Sequence, residues 1–459
     1  MAYANVDSLT MGNILQILFA KTALQQLSTE AAEFEYVKAY SSKVDPAREF
    51  RFFLIESLSP SAIQPNNPGS SGIGFGTPST PVTNEYTSKF FEVSGSLQIE
   101  LNLWERAKAS PAKYGEPVVI RAQALLDSWK RYVAKHFYMN GTGCMGKCSA
   151  TVTDVTGAAG YVTVPVAASS TGDSFVSWFE LGDKVQVVYD NTTLAARAPT
   201  TVGSFSYWSV EGIDRENQTV RLVPRLATGV ADNLTASNIV SGDLIYPNNI
   251  TVVGLTTVVS DYATWNEVHP GLEALGSPGK TVWGMTMTAG GALAPQQVDC
   301  SAGIIDERYL GQLLDKMDVR HGRGKFPVAK FFSSPEAARA LINARETNRR
   351  FNSSTDVITG ASGFSYQHYN QKVDFEPGEF CPTNRIWVLP KGRGGQLPIE
   401  MPMIDFRQVK AGAGADGNFM SPNTSGSHNQ LLLQYWKSYL TAFSRMPSAI
   451  GSLVNFVNS

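Results

Sequence analysis

The sequence predicts an α+β protein in which an extended β-hairpin and a long helix precede an inserted all-β segment and a mixed α/β region. Three observations carry this. Phe91, Val93, Leu97, Ile99, Leu101 and Leu103 share one parity, the mark of a strand covered on one face. Val118, Ala122, Leu125, Leu126, Trp129, Tyr132, Val133 and Phe137 recur mostly at steps of three and four, the mark of a helix. From 149 to about 250, charge falls while Val, Thr and turn residues rise. The 459 residues suffice for roughly two to four domains. Charged residues make up 17% of the chain, below the usual level of about 25%. Low charge with many Gly, Ser, Thr and Asn fits a β-rich protein whose surface is largely covered by other protein. The net charge of −2 carries no global signature for nucleic acid, which leaves only local, non-specific contact.

The elements follow in order. Residues 1–46 form an arm. Ile14, Ile17, Leu18, Leu24 and Leu27 place an amphipathic helix in it, and its apolar run is far too short to span a membrane. Arg48 to Leu58 and Tyr86 to Leu103 are expected as the two strands of the hairpin. They enclose the tract 65–81, which holds Gly72, Gly74, Phe75 and Gly76. The glycines suggest a phosphate cradle, but no helix opens after them and no Lys-Ser/Thr follows. The tract is expected instead as a soft hairpin tip. Pro111 and Pro117 suit the approach and first turn of the long helix, and Asn140-Gly141 its end.

In the β segment, Val152, Val155, Val162 and Val164 match Val210, Ile213, Val220 and Leu222, each 58 residues later. Gly182-Asp183 matches Gly242-Asp243, 60 residues later. Two such halves can close on each other as a barrel or sandwich. Beyond Ile250 come a helix from Asp306 to Met317, a buried strand from Phe326 to Phe332, and a helix capped by Ser334 with Pro335 in its first position. Strands are expected over Lys372 to Phe375, Arg385 to Leu389 and Leu431 to Phe443, with a loop from Lys410 to Ser427.

Catalytic and metal motifs do not emerge. Cys144 and Cys148 form a C-x3-C without further ligands at zinc spacing, and read as small buried or half-buried thiols. The five histidines, His136, His269, His321, His368 and His428, form no H-E-x-x-H, and no G-x-S-x-G accompanies them. Arg339, Arg345, Arg349 and Arg350 form a basic cluster, read first as a solvated or intersubunit face. No cofactor and no metal are expected, and the chain is read as a non-enzyme.

This order of parts resembles the major capsid protein family of tailed double-stranded-DNA bacteriophages, whose fold is named after phage Hong Kong ninety-seven. The resemblance rests on Asn140-Gly141-Thr142-Gly143 after the helix, DERYLGQLLDKM, PVAKFFSSPEAARAL and FSYQHYNQKVDFEPGEFCPTNRIWVLP. It implies an arm over 1–46, an extended loop and peripheral-domain strand over 47–104, and a spine helix over 105–148. An inserted β-barrel or sandwich over 149–250 follows, then a return to the peripheral domain over 251–302, an axial domain over 303–400 and closing strands over 401–459. It implies an icosahedral shell subunit, with many copies of itself, a portal protein and packaged double-stranded DNA as partners, assembled in the host cytoplasm and away from any membrane. A decoration protein is a further expected partner. Only about 46 residues precede the hairpin, so a separate scaffold protein or none is expected. Interface candidates are Arg48, Arg51, Gly72, Gly74, Phe75, Gly76, Lys89, Arg345, Arg349 and Arg350. An encapsulin-like cage and a tail-tube or adhesin component are the alternatives.

Overall fold

The computed structural model describes residues 37–41, 49–57, 82–100, 111–152, 160–167, 175–189, 197, 199–201, 205–226, 234–236, 238–248, 269–321, 328–348, 365–368, 371–390, 398–408, 419–421 and 431–457. The expected arm helix, Arg48, the tract with Gly72, Gly74, Phe75 and Gly76, and Arg349 and Arg350 lie outside these residues. The fold is mixed α+β and rich in sheet.

A two-stranded ribbon opens it. Phe50–Ser57 pairs antiparallel with Val82–Ser88, with Phe50 opposite Ser88 and Ile55 opposite Thr83. The sequence reading of Tyr86 to Leu103 as one hairpin strand is corrected here. The chain leaves the ribbon at Lys89 and Phe90, and Phe91–Glu100 pairs with Leu431–Leu440 over its whole length. Period-two alternation says that a face is covered, not which strand lies alongside, and the alternating set begins at Phe91, after the change of partner. Ile399–Gln408 lies on the other side of Leu431–Leu440, with Val37–Ser41 parallel beyond it. Phe419–Ser421, inside the stretch expected as a loop, is a short strand on Leu431–Leu440.

The long helix is Pro111–Tyr138, 28 residues, or roughly 42 Å at 1.5 Å per residue. Pro111 is its first residue, where the missing N–H costs nothing; Pro117 lies inside the helix rather than at its start. Ala122, Leu126, Trp129, Val133 and Phe137 are buried on one stripe, and Arg121, Asp127, Ser128 and Arg131 are exposed on the other. The helix crosses Phe91–Glu100 at Gly95, where an added Cβ would stand 2.7 Å from Leu125 Cδ1. Beyond Tyr138, Asn140 Oδ1 accepts the Thr142 amide at 3.0 Å and its hydroxyl at 2.5 Å, while Gly141 and Gly143 take φ of 85° and 77°. A side chain that satisfies the turn's own backbone ends a helix in this way.

Between Gly146 and Pro247 six strands run in the order Gly146–Lys147, Leu244–Pro247, Lys184–Val188, Phe205–Asp214, Thr219–Leu226 and Val162–Pro165. The sheet then closes on itself. Cys148 bridges Val166, Ser149 donates to the Pro165 carbonyl at 2.9 Å and Ala167 to that of Lys147 at 2.7 Å. The repeated Gly-Asp pairs occupy equivalent turns. Gly182 and Gly242 have φ of 89° and 95°, and Asp183 and Asp243 accept the amides of Glu180 and Val240, each at 2.9 Å. Gln186 lies opposite Tyr246, and Thr163 opposite Arg221. Each of these pairs joins positions that the repeat makes equivalent, so a local two-fold axis passes through both. One part of the repeat alignment is corrected. Gly182 donates to Val210 and Gly242 to Cys148, so Cys148, not Val152, holds the place of Val210. Strands of alternating Val match at several even offsets, and only the hydrogen bonds select one.

The third large sheet runs Gln296–Asp299, Gly451–Val454, Arg385–Pro390, Val328–Ser333, Gln371–Pro377 and Ser365–His368. Helices Glu307–His321 and Pro335–Asn348 pack on it. Ser334 Oγ accepts the Ala337 amide at 3.1 Å, and Pro335 is the first helical residue, as the sequence indicates. The strand Arg385–Pro390 is buried throughout. Its Ile386 and Val388 join one core with Leu310, Leu313, Leu314 and Leu341 under the helices. Trp387 and Leu389 face the opposite way, into a second core. That core is continuous through the ribbon base, the long helix and the closed sheet of residues 146–247. Alternation along one strand therefore joins two cores.

Beside this sheet Ser301, Ala302 and Asn455 all have positive φ, at 52°, 57° and 56°. A side chain strains that conformation, and glycine relieves it. Ala302 is exposed. Ala302→Gly is expected to raise stability by about 0.5–1 kcal/mol, the strain removed less the added freedom of the unfolded chain. A small rise in the urea midpoint checks this; a fall would mean the turn is not strained.

Candidate interaction surfaces

The ribbon is held at its base by aromatic stacking. Phe52 and Phe50 lie 4.4 and 5.2 Å from the Phe443 ring, and Ser88 Oγ donates to the Phe50 carbonyl at 3.4 Å. Phe52 and Leu54 are buried, whereas Phe53 between them is 64% exposed. Arg51 pairs with Glu85 across the ribbon at 3.2 Å, and both are well exposed. Lys89 follows the ribbon directly and is exposed. Arg51 on the ribbon and Lys89 at its exit are therefore near one another, since Arg51 lies opposite Thr87. Arg345 does not join them: it belongs to the helix Pro335–Asn348, which packs on the third sheet.

The strand Phe91–Glu100 carries a second charged edge. Glu92 Oε1 is 2.5 Å from Lys437 Nζ, and Tyr439 donates to Glu92 Oε2 at 3.1 Å. The hydrogen bond to Glu92 holds the Lys437 ammonium above its usual range; partial burial, then Glu92, raises Tyr439.

Three parts of the molecule meet at a junction the sequence reading missed. Arg131 of the long helix reaches Glu180 at 3.6 Å and Glu379 at 3.4 Å; Arg215 reaches Glu379 at 3.9 Å. Lys135, 9% exposed in its side chain, lies 3.8 Å from Asp183 and 4.0 Å from Glu180. Trp178 is fully buried and donates its indole N–H to the Phe380 carbonyl at 3.0 Å. Behind it, Arg385 and Glu273 form an ion pair at 2.5 Å with side chains 3% and 2% exposed, and Ser277 donates to the same carboxylate at 2.9 Å. These partners are scattered over the chain and share no local motif. The one available signal was the recurring Gly-Asp pair, whose first Asp turns toward Lys135.

The reactive side chains are withdrawn from solvent. All four cysteines are free and buried. Burial, then Asp243, pushes the Cys148 thiol far up, and burial with Asp299 pushes Cys300 up to about 12, so neither is a ready nucleophile. Among the described residues no three His, Cys, Asp or Glu side chains group as metal ligands. No described helix is long and apolar enough to cross a membrane.

The sequence matches no protein-family model and no curated protein. Solved structures do resemble it. The capsid of an empty GTA particle is 9% identical, with 93% of this chain and 90% of that chain covered and a TM-score of 0.44. The capsid of cyanophage A-1(L) is 7% identical, with 93% of each chain covered and a TM-score of 0.43. A subunit in the procapsid of satellite phage P4 is 8% identical, with 95% and 90% covered and a TM-score of 0.40. An encapsulin from Synechococcus elongatus is 15% identical, but covers 36% of this chain and 55% of its own, at a TM-score of 0.24. Along most of its length, then, the chain is similar to capsid structures of phages and of a GTA particle.

Proposed function

We propose that the protein is a structural subunit that assembles with many copies of itself into a closed icosahedral shell around packaged double-stranded DNA. One observation carries the reading. Phe50–Ser57 and Val82–Ser88 pair only with each other among the described strands, their base is stacked on Phe443, and Phe53 stands open to solvent. A lone two-stranded ribbon is marginal in water. In a closed symmetric assembly each copy covers such an element on its neighbour. The low share of charged residues suits a surface that is packed against protein. A portal protein, a decoration protein and either a separate scaffold protein or none belong to the same proposal, as does assembly in the host cytoplasm.

The test is assembly itself. The purified protein, sedimented and imaged in negative stain, should give hexamers, pentamers or closed shells. Tubes or fibres would favour a tail component, and a persistent monomer with catalytic activity would sink the proposal. Deleting residues 65–81 should leave a folded subunit with impaired assembly. A deletion that unfolds the subunit would make the tract part of the core and remove the role given to it.

A further inference from the structure

The two buried histidines are not used by the reading above. His136 stands in the last turn of the long helix and His269 on the segment that packs against it, with ring centroids 6.0 Å apart. His136 and His269 are 1% and 0% exposed. The His136 Nδ1 lies 2.8 Å from the Tyr132 carbonyl, which accepts only from an N–H, so that bond fixes the tautomer and leaves Nε2 as a bare acceptor. Nε2 of His136 and both ring nitrogens of His269 have no hydrogen-bond partner.

The segment is seated closely. A Cβ on Gly271 would come within 2.4 Å of the Met139 carbonyl oxygen and 2.5 Å of those of His136 and Phe137. On the other side of His136 a cleft of about 360 Å³ separates the helix from the closed sheet, lined by Tyr132, Lys135, His136, Met145, Asp183, Lys184, Pro247 and Asn248. His136 is thus a wall between a cleft and a tightly docked segment.

We propose that His136 and His269 form an acid-operated latch: with both rings neutral it holds the segment from His269 to Leu275 on the end of the long helix, and a proton on either ring releases it. The charges around the pair favour this. On the helix, Tyr132 stacks on His136 at 3.8 Å and Lys135 repels a second cation. From the closed sheet, Lys184 lines the cleft with its ammonium over the Tyr207 ring, while Asp183 and Glu180 are engaged with Lys135. On the segment side, His269 is itself a possible cation, and Glu273 is committed to Arg385. No free carboxylate in this set faces the rings.

Burial first, then Lys135 and His269, holds His136 well below the ordinary imidazole range; burial alone brings His269 to about 3. A base whose proton affinity is lowered by folding gives stability that is complete above the free imidazole value of about 6.5. That stability is lost as pH falls from there toward 3. Opening the latch lets the rings take up protons at the ordinary value, so acid favours the open form.

Hydrogen exchange on the full chain, corrected for the intrinsic pH dependence of exchange, tests this. From pH 6.5 downward, protection of residues 269–275 should fall by up to about tenfold per pH unit for each ring that titrates. The strands of residues 146–247 should stay protected over the first units of that range. His136→Asn keeps a donor for Tyr132 without a titrating nitrogen; together with His269→Gln it should flatten the pH response of the segment. In the unaltered protein, imidazole proton NMR should show the two rings neutral well below pH 6 until the segment opens. An unchanged response in the double variant, simultaneous loss of protection everywhere, or rings that titrate near 6.5 with the segment closed would each overturn the latch. None of these outcomes depends on shell assembly.

Discussion

Arg385→Met is expected to lower the unfolding free energy by about 3–5 kcal/mol, the usual cost of leaving one member of a buried ion pair alone. The Arg385 side chain is 3% exposed and its guanidinium is 2.5 Å from Glu273, whose carboxylate would lose that cation while staying in a dry site. The second half of the experiment separates charge from shape. Arg385→Met combined with Glu273→Met removes both ions and refills much of the volume, and such replacements are often close to neutral. Unfolding midpoints in urea should therefore show a large loss in the single variant and recovery of much of it in the double. Equal losses in both would mean that packing over Trp387, whose ring lies 5.6 Å from the guanidinium, matters more than the charge.

Trp178→Ala should cost a similar amount, about 3–5 kcal/mol, the range for removing a large aromatic side chain from a core. Trp178 is fully buried, touches Phe175 at a centroid distance of 5.8 Å and binds the Phe380 carbonyl. Its loss opens a cavity at the seam between the closed sheet and the turn before Arg385, and leaves that carbonyl unsatisfied. Trp178→Phe should cost less, because most of the apolar volume stays and mainly the hydrogen bond goes, about 1–3 kcal/mol. Thermal unfolding of the two variants beside the unaltered protein measures both steps. If Phe costs as much as Ala, the indole N–H is the dominant part.

Local chemistry was legible in the sequence and partner choice was not. Ser334-Pro335 declares a helix start because a cap and a proline act within one turn. Gly182-Asp183 and Gly242-Asp243 declare turns because a left-handed glycine and a side-chain acceptor are needed there and nowhere else in the strands. The long helix showed its buried stripe, although its start was placed too late because Pro117 suggested a boundary where the helix continues. The partner of Phe91–Glu100 could not be found this way. Its alternation fits any covered sheet, and Leu431–Leu440 lies far away along the chain. For the same reason the charges at Arg131, Lys135, Glu180 and Glu379 gave no sequence signal: each is an ordinary surface residue until the fold brings them together. Of the interface candidates, Arg51 on the ribbon and Lys89 just beyond it come near one another because antiparallel pairing sets Arg51 opposite Thr87, and Arg345 falls elsewhere.

The placement of Gly451–Val454 between Gln296–Asp299 and Arg385–Pro390 has a consequence for how the chain folds as it is made. The last-synthesised strand among those described is an interior strand of its sheet, and Leu431–Leu440 likewise lies between Phe91–Glu100 and Ile399–Gln408. Two of the three large sheets therefore stay open during translation until residues 431–454 have emerged. The sheet of residues 146–247 needs nothing from later in the chain for its strand pairing and can form during translation. Translation order thus separates an early-folding unit from a late closing event, until which a half-made chain leaves strand edges unpaired.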